Sequence, residues 1–193
     1  MYLLYLILIL APLILLYWAY QLRIRVKLID EQLEEIDYDN KHIKAALLTG
    51  LYHRFNEEGT GFEHFVAKIA DTYYGGSSYV TPATRDYGVD IELTKSNGEN
   101  KELYLGQVKC EQSKLNYRPI AIIHSQMIKQ NATKGFVITT SDFTKYARYY
   151  AEDLNIELID GKRFVDIWLD SLQTNKEKAL DPAANEQLIP ENA

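Results

Sequence analysis

Cysteine is almost missing from this chain: Cys110 is the only one. A lone thiol excludes an internal disulfide and a cysteine-rich zinc site, and it fits a protein of a reducing compartment. Histidine is scarce as well. His42, His53, His64 and His124 are scattered, and no two have the spacing of a metal-binding helix such as His-Glu-x-x-His. Positive charge is in deficit: 21 Lys and Arg stand against 27 Asp and Glu, a formal net charge of −6. Taken as a sum, that argues against a polyanionic partner. Between Tyr2 and Tyr20 there is no charge at all.

That charge-free stretch predicts one transmembrane helix over 1–22. At about 1.5 Å per residue it spans roughly 28 Å, near the ~30 Å of a bilayer's hydrocarbon core. Tyr17, Trp18 and Tyr20 stand at its end, where amphipathic rings favour the headgroup level. Pro12 sits mid-span, where a lipid-embedded helix tolerates a kink. Arg23, Arg25 and Lys27 follow directly. The positive-inside rule then predicts a single-pass protein of the inner (cytoplasmic) membrane, touching the lipid bilayer through residues 2–20, with its C-terminal domain in the cytoplasm. A cleaved signal peptide would carry a basic start and a small-residue cleavage site, and neither is present.

Hydrophobic content of 47% and charged content of 25% predict a packed core for the remainder. Residues 23–58 read as a helical connector, basic and then acidic through Asp30, Glu31, Glu34, Glu35, Asp37 and Asp39. Ile43, Ala46, Leu47, Leu51 and Phe55 follow at helical spacing. A folded domain is expected over 59–173 and a polar, disordered tail over 174–193. Thr60 is placed to cap a helix with Phe62, Phe65, Val66 and Ile69 on its apolar face, stopped by Gly75-Gly76. Strands are expected over 78–81 and 89–94, then a hairpin turn centred on Asn97-Gly98 and a return strand over 102–110. A helix over 119–129, a strand over 135–140 and a helix capped by Ser141 or Asp142 come next. A strand over 156–159 and a helix over 164–172 close the domain. The order predicts an α/β fold, a mixed β-sheet flanked by helices on both faces.

Period two decides which side chains meet. Val89, Ile91 and Leu93 share one face of their strand, and Asp90, Glu92 and Thr94 the other; Leu103, Leu105, Gln107 and Lys109 share a face of the return strand. Paired in register, Asp90, Gln107 and Lys109 converge, and Glu63 on the preceding helix can add a carboxylate. Each has a plainer reading alone: a solvated strand-end acid, a buried amide, a surface lysine, a partner for Lys68. Asp86 reads first as a turn residue and Glu92 as pointing past the site. His64 and His124 read as structural or exposed. Tyr73, Tyr74, Tyr146, Tyr149 and Tyr150 read as core and rim aromatics rather than base-stacking platforms.

Taken in order, the series is Phe62-Glu63, Arg85-Asp86-Tyr87-Gly88-Val89-Asp90, Gln107-Val108-Lys109, Gly135 through Ser141, Asp142-Phe143-Thr144 and Ile159-Asp160-Gly161. A bare Asp…Gln-x-Lys triplet arises by chance in most chains. The ordered series resembles the Mrr-type restriction endonuclease domain, a branch of the PD-(D/E)xK nuclease superfamily, from about Gly61 to Leu172. The resemblance implies a restriction-endonuclease-like fold and a role for each position. Asp90 corresponds to the metal-binding aspartate, and Gln107 to the ligand that other branches supply as Glu or Asp. Lys109 corresponds to the lysine that orients or deprotonates the attacking water, and Glu63 to the helix acid that helps hold the metal. The implied cofactor is Mg²⁺, with Mn²⁺ as a substitute, and the lost carboxylate at Gln107 points to one ion rather than a pair.

The implied function is a membrane-anchored, Mg²⁺-dependent endodeoxyribonuclease that hydrolyses DNA phosphodiester bonds in restriction of foreign DNA. The alternative is a non-catalytic, membrane-tethered module that binds nucleic acid or a protein; a homo-oligomer is compatible with either. Many members of the branch carry a separate DNA-reading domain where this chain has its apolar segment and acidic connector. Binding is therefore expected to rest on phosphate contacts, from Lys114, Arg118, Lys129, Lys134, Lys145 and Arg148. The charge distribution agrees: residues 28–100 hold 6 basic and 14 acidic residues, a net of −8, whereas 101–163 hold 10 and 7, a net of +3.

Overall fold

The computed structural model describes residues 2–56, 61–82, 87–98 and 100–180. Its elements are α1 (Tyr2–Phe55), α2 (Gly61–Tyr74), β1 (Ser77–Val80), β2 (Ile91–Asn97), β3 (Asn100–Lys109), α3 (Arg118–Gln130), β4 (Lys134–Thr139), α4 (Lys145–Ala151), β5 (Ile156–Ile159) and α5 (Gly161–Leu180). The chain divides into two compact units, Met1–Lys44 and Ala45–Ala193.

The first unit is the leading part of α1. After Pro12 no Pro or Gly interrupts the sequence until Gly50, and good helix formers fill the stretch between. Lys27 and Glu31 add an i,i+4 ion pair at 3.6 Å. Among the described residues no helix is long and apolar enough to cross a membrane, so the transmembrane helix expected over 1–22 finds no support here. Its residues instead open one continuous 54-residue helix that also takes in the basic and acidic connector.

The second unit is built on a five-stranded sheet in the order β1-β2-β3-β4-β5. β1, β2 and β3 pair antiparallel; β3, β4 and β5 pair parallel, with α3 and α4 as the crossovers. β4 is buried from Gly135 to Thr139, as expected for a strand with parallel neighbours and helices on both faces. One core lies on the α2 and α5 face, with Val66, Ile91, Leu93, Val108, Phe136 and Phe164. The other lies on the α3 and α4 face, with Leu105, Ile120, Ile123, Val137 and Phe143. The α/β class, with a mixed sheet flanked by helices, is what the sequence predicts.

Several boundaries move. The last turns of α1 belong to the first core: Leu51 is 6% exposed, and Leu47, Leu48 and Phe55 pack beside it. The sequence boundary at 59 had left these residues in the connector. α5 continues to Leu180, past the expected domain end at 173. The hairpin turns one residue later than expected, because Asn97 pairs with Asn100 and Gly98 takes the positive φ of 65°. α4 is capped neither by Ser141 nor by Asp142: the Thr144 side chain accepts the Ala147 N–H at 3.1 Å. The expected cap Thr60, and the Arg85-Asp86 pair of the motif, lie outside the described residues.

Candidate functional site

β2 and β3 are antiparallel, so the start of one lies beside the end of the other. The register pairs Ile91 with Gly106, yet the Asp90 N–H also donates to the Gly106 carbonyl, at 2.8 Å. Two residues of one strand thus oppose one residue of its neighbour, the arrangement of a β-bulge. The extra residue overturns the expectation that Val89 shares a face with Ile91 and Leu93. Val89 joins the α3-side core, and the other two stay in the α2-side core. Thr81, just past β1, secures the bulge. Its N–H donates to the Asp90 carbonyl at 3.0 Å, and its hydroxyl donates to the Val89 carbonyl.

Three of the four expected site residues lie along this junction of β2 and β3. Asp90 is 5% exposed, and its Oδ2 accepts the backbone N–H of Val108 at 2.7 Å. Val108 stands between Gln107 and Lys109, so this bond holds the carboxylate against the strand that carries both. Gln107 is 4% exposed, and its Oε1 is buried with no hydrogen-bond partner among the described residues. Lys109 ends β3, half-buried; its carbonyl accepts the Thr140 N–H at 3.2 Å. Gly88 closes the flank on the α3 side. Its φ is +81°, and a Cβ there would lie 2.5 Å from Ile122 Cγ2 and 3.4 Å from Gln107 Nε2.

Glu63, the fourth expected site residue, is carried by another element. It lies in the first turn of α2, whose buried side packs on the sheet face opposite to α3. Among the described residues no three His, Cys, Asp or Glu side chains come together to hold a metal ion. Among the described residues at the junction of β2 and β3, the oxygen donors are the Asp90 carboxylate and the Gln107 carboxamide. A buried acceptor without a partner costs about 1–3 kcal/mol, and a hard cation takes such oxygens while keeping several waters. The donor set fits one such ion.

Beyond Lys109 the chain is held by charge. Asp142 accepts from Lys114 Nζ at 2.6 Å, Arg148 Nη2 at 2.5 Å and the Phe143 N–H at 2.7 Å. Arg148 Nη2 also donates to Asp160 at 2.8 Å. Lys114 foremost, with Arg148, holds the Asp142 carboxyl well below the usual carboxylate range. This network ties the loop after β3 to the ends of β4 and β5, reinforced by a bridge between Leu115 and Phe143. Burial pushes the Cys110 thiol up, which makes it a poor nucleophile near neutral pH. Sequence reasoning missed Thr81 and the Val108 N–H, because both are paired with groups of the bulge that no residue pattern announces. Gly88 was legible only as a member of the Arg85-to-Asp90 motif.

Residues 56–168 match the Mrr catalytic domain, a restriction endonuclease family. No curated protein matches the chain. Among solved structures it is similar to the MspJI restriction endonuclease in complex with a 27-mer oligonucleotide. That likeness has 21% identity and a TM-score of 0.58, over 75% of this chain and 35% of that one. It is also similar to the DNA modification-dependent restriction endonuclease AspBHI, at 17% identity and a TM-score of 0.55, over 68% of this chain and 40% of that one. At these identities the likeness is one of fold, and the chain spans well under half the length of either enzyme. With its match running from the end of α1 into α5, the chain belongs to the restriction endonuclease family through an Mrr-type catalytic domain.

Proposed function

We propose that the domain is an Mg²⁺-dependent endodeoxyribonuclease that hydrolyses DNA phosphodiester bonds, in restriction of foreign DNA. The observation that carries this reading is the buried, unpartnered Gln107 Oε1 on the strand that holds the buried Asp90 carboxylate, two residues from Lys109. Asp90 and Gln107 would hold the ion, with Glu63 assisting from α2 through water; Mn²⁺ could stand in. An ion held there would acidify water and offset charge on the phosphate. Asp90 supplies the negative charge of the site, and its bond to the Val108 N–H keeps it in one orientation. Lys109 orients the attacking water. It also offsets the charge that gathers on the phosphate oxygens as the water oxygen bonds to phosphorus and the ester P–O bond breaks. With a carboxamide at 107, one ion is held rather than two.

The same reading sets the domain at the cytoplasmic face of the inner membrane. Its support is the uncharged run of residues 2–20 followed by Arg23, Arg25 and Lys27. The described residues contain no helix long and apolar enough to span a bilayer, so this attachment rests on the sequence pattern.

The test is a nicking and cleavage assay on plasmid and linear DNA with the full chain. Activity is expected with Mg²⁺ or Mn²⁺ and should vanish in EDTA. Asp90→Asn should abolish cleavage with the fold intact, since the amide keeps the shape and the acceptor for Val108. Lys109→Ala should abolish turnover while metal binding, read by calorimetry, persists. Gln107→Glu should remain active and bind metal more tightly. Activity that survives EDTA, or full activity in Asp90→Asn, would leave the non-catalytic binding module as the better account.

A further inference from the structure

From Ser113 to Tyr150 the chain carries Lys114, Arg118, Lys129, Lys134, Lys145 and Arg148 against a single acid, Asp142, although the whole chain is net negative. Four of these cations are engaged. Lys134 pairs with Glu157, Lys114 and Arg148 pair with Asp142, and Lys129 lies over the Tyr87 ring at 4.7 Å. Arg118 and Lys145 pair with no acid among the described residues. Beside these two stand three exposed rings: Tyr117 at 40%, Tyr146 at 60% and Tyr149 at 69%. Tyr146 and Tyr149 are three apart on α4, hence neighbours on one side of that helix. Tyr117, at the start of α3, meets Tyr146 edge-on at 5.6 Å and Tyr150 at 5.4 Å. Tyr150 packs partly against the α3-side core and roots the group.

We propose that this tyrosine and cation surface at the starts of α3 and α4 binds an unpaired DNA strand, stacking bases on Tyr146, Tyr149 and Tyr117 while Arg118 and Lys145 take the phosphates. Exposed rings beside unpaired cations match both halves of a nucleotide, the base face and the phosphate. In an intact duplex the base faces are covered by their neighbours, so the rings have nothing to stack on. The position is apt as well. α4 follows directly from the end of β4, where Thr139 pairs with Lys109, so the surface begins at the same end of the sheet as Asp90 and Lys109. A strand held there would direct the domain to frayed, flapped or nicked DNA. The inference rests on DNA as the ligand in the proposed function, but it concerns binding and is tested without cleavage.

Fluorescence anisotropy of the full chain in EDTA, with labelled oligo(dT), a duplex of equal length and oligo(U), tests it. The wild-type chain should bind oligo(dT). Tyr146→Ala and Tyr149→Ala should each weaken that binding by about tenfold and leave duplex binding unchanged, and the Phe variants should bind as wild type. Arg118→Ala and Lys145→Ala should weaken both forms and flatten the salt dependence. The tyrosines are exposed, so unfolding is not expected, and an unchanged melting temperature would verify this. Wild-type affinity for oligo(dT) in the Tyr146→Ala, Tyr149→Ala double variant would overturn the proposal. So would tighter binding of oligo(U) than of oligo(dT). Duplex binding without single-strand binding would overturn it too, while Mg²⁺-dependent cleavage, assayed separately, would keep the nuclease reading standing. A chain that binds no DNA would sink both.

Discussion

Gly88 shows how a single backbone position supports the candidate site. Its positive φ suits glycine, and the space a side chain would need is taken by Ile122 and bordered by the Gln107 amide. Gly88→Ala therefore adds strain and a clash together, pushing against the residue whose Oε1 is unpartnered. The expected result is a loss of stability of about 1–3 kcal/mol and at least a tenfold drop in cleavage. Urea unfolding and the nicking assay read the two effects. An alanine variant with unchanged stability and rate would mean that Gly88 does not support Gln107. At this scale the sequence was informative where side chains act. Strand alternation sets Leu105 on the α3 side and Val108 on the α2 side of β3, as the sequence reads it. The sequence was silent on the bulge at Asp90 and Ile91, which follows from a hydrogen bond to Gly106 that no pattern of residue types announces.

Between elements, Glu157 of β5 is the joint that ties the α2-side layer to the sheet. It accepts from the Tyr73 and Tyr74 hydroxyls, at 2.9 and 3.1 Å, and pairs with Lys134 of β4 at 2.6 Å. Burial alone would raise its pKa; Lys134, then the two tyrosines, outweigh that and leave it lowered. A carboxylate with a lowered folded pKa stabilises above the unfolded value of about 4.3 and stops doing so as pH falls through the folded value. Glu157→Gln should thus cost about 1 kcal/mol at neutral pH, modest because the pair is partly exposed to solvent. Wild type and variant should converge in strong acid. Thermal unfolding across pH 2–7 checks this, and a gap that stays constant into acid would remove the ionic role. The elements themselves were legible from periodicity and from turn residues such as Gly75-Gly76. The Thr144 cap and the late hairpin turn were not, because several adjacent residues could serve and tertiary packing chose among them.

At the scale of the whole molecule, the question is where the folded domain begins. Leu51 and Phe55 pack into the α2-side core, with Phe55 stacked on Phe65 at 5.3 Å and beside Phe62 at 5.6 Å. A chain starting at Ala45 should therefore fold and leave the membrane fraction in which the full chain is expected. A chain starting at Glu57 should be destabilised by several kcal/mol, the scale of removing the buried Leu51 and the partly buried Phe55. Cell fractionation and denaturant melts of the two truncations test this. Full-length protein recovered without membranes would sink the anchor, and equal stability of the two truncations would sink the packing claim.

The sequence by itself determined the fold class and the order of strands and helices. These depend on local periodicity and on a motif whose spacing is written in the chain. Tertiary structure alone decided the rest. It recruited the end of α1 into the core and turned Val89 away from Ile91. It also left Tyr146 and Tyr149, which the sequence reads as core and rim aromatics, in solvent. Each of these depends on which distant surface a residue meets, and burial, unlike periodicity, is a property of the assembled layers.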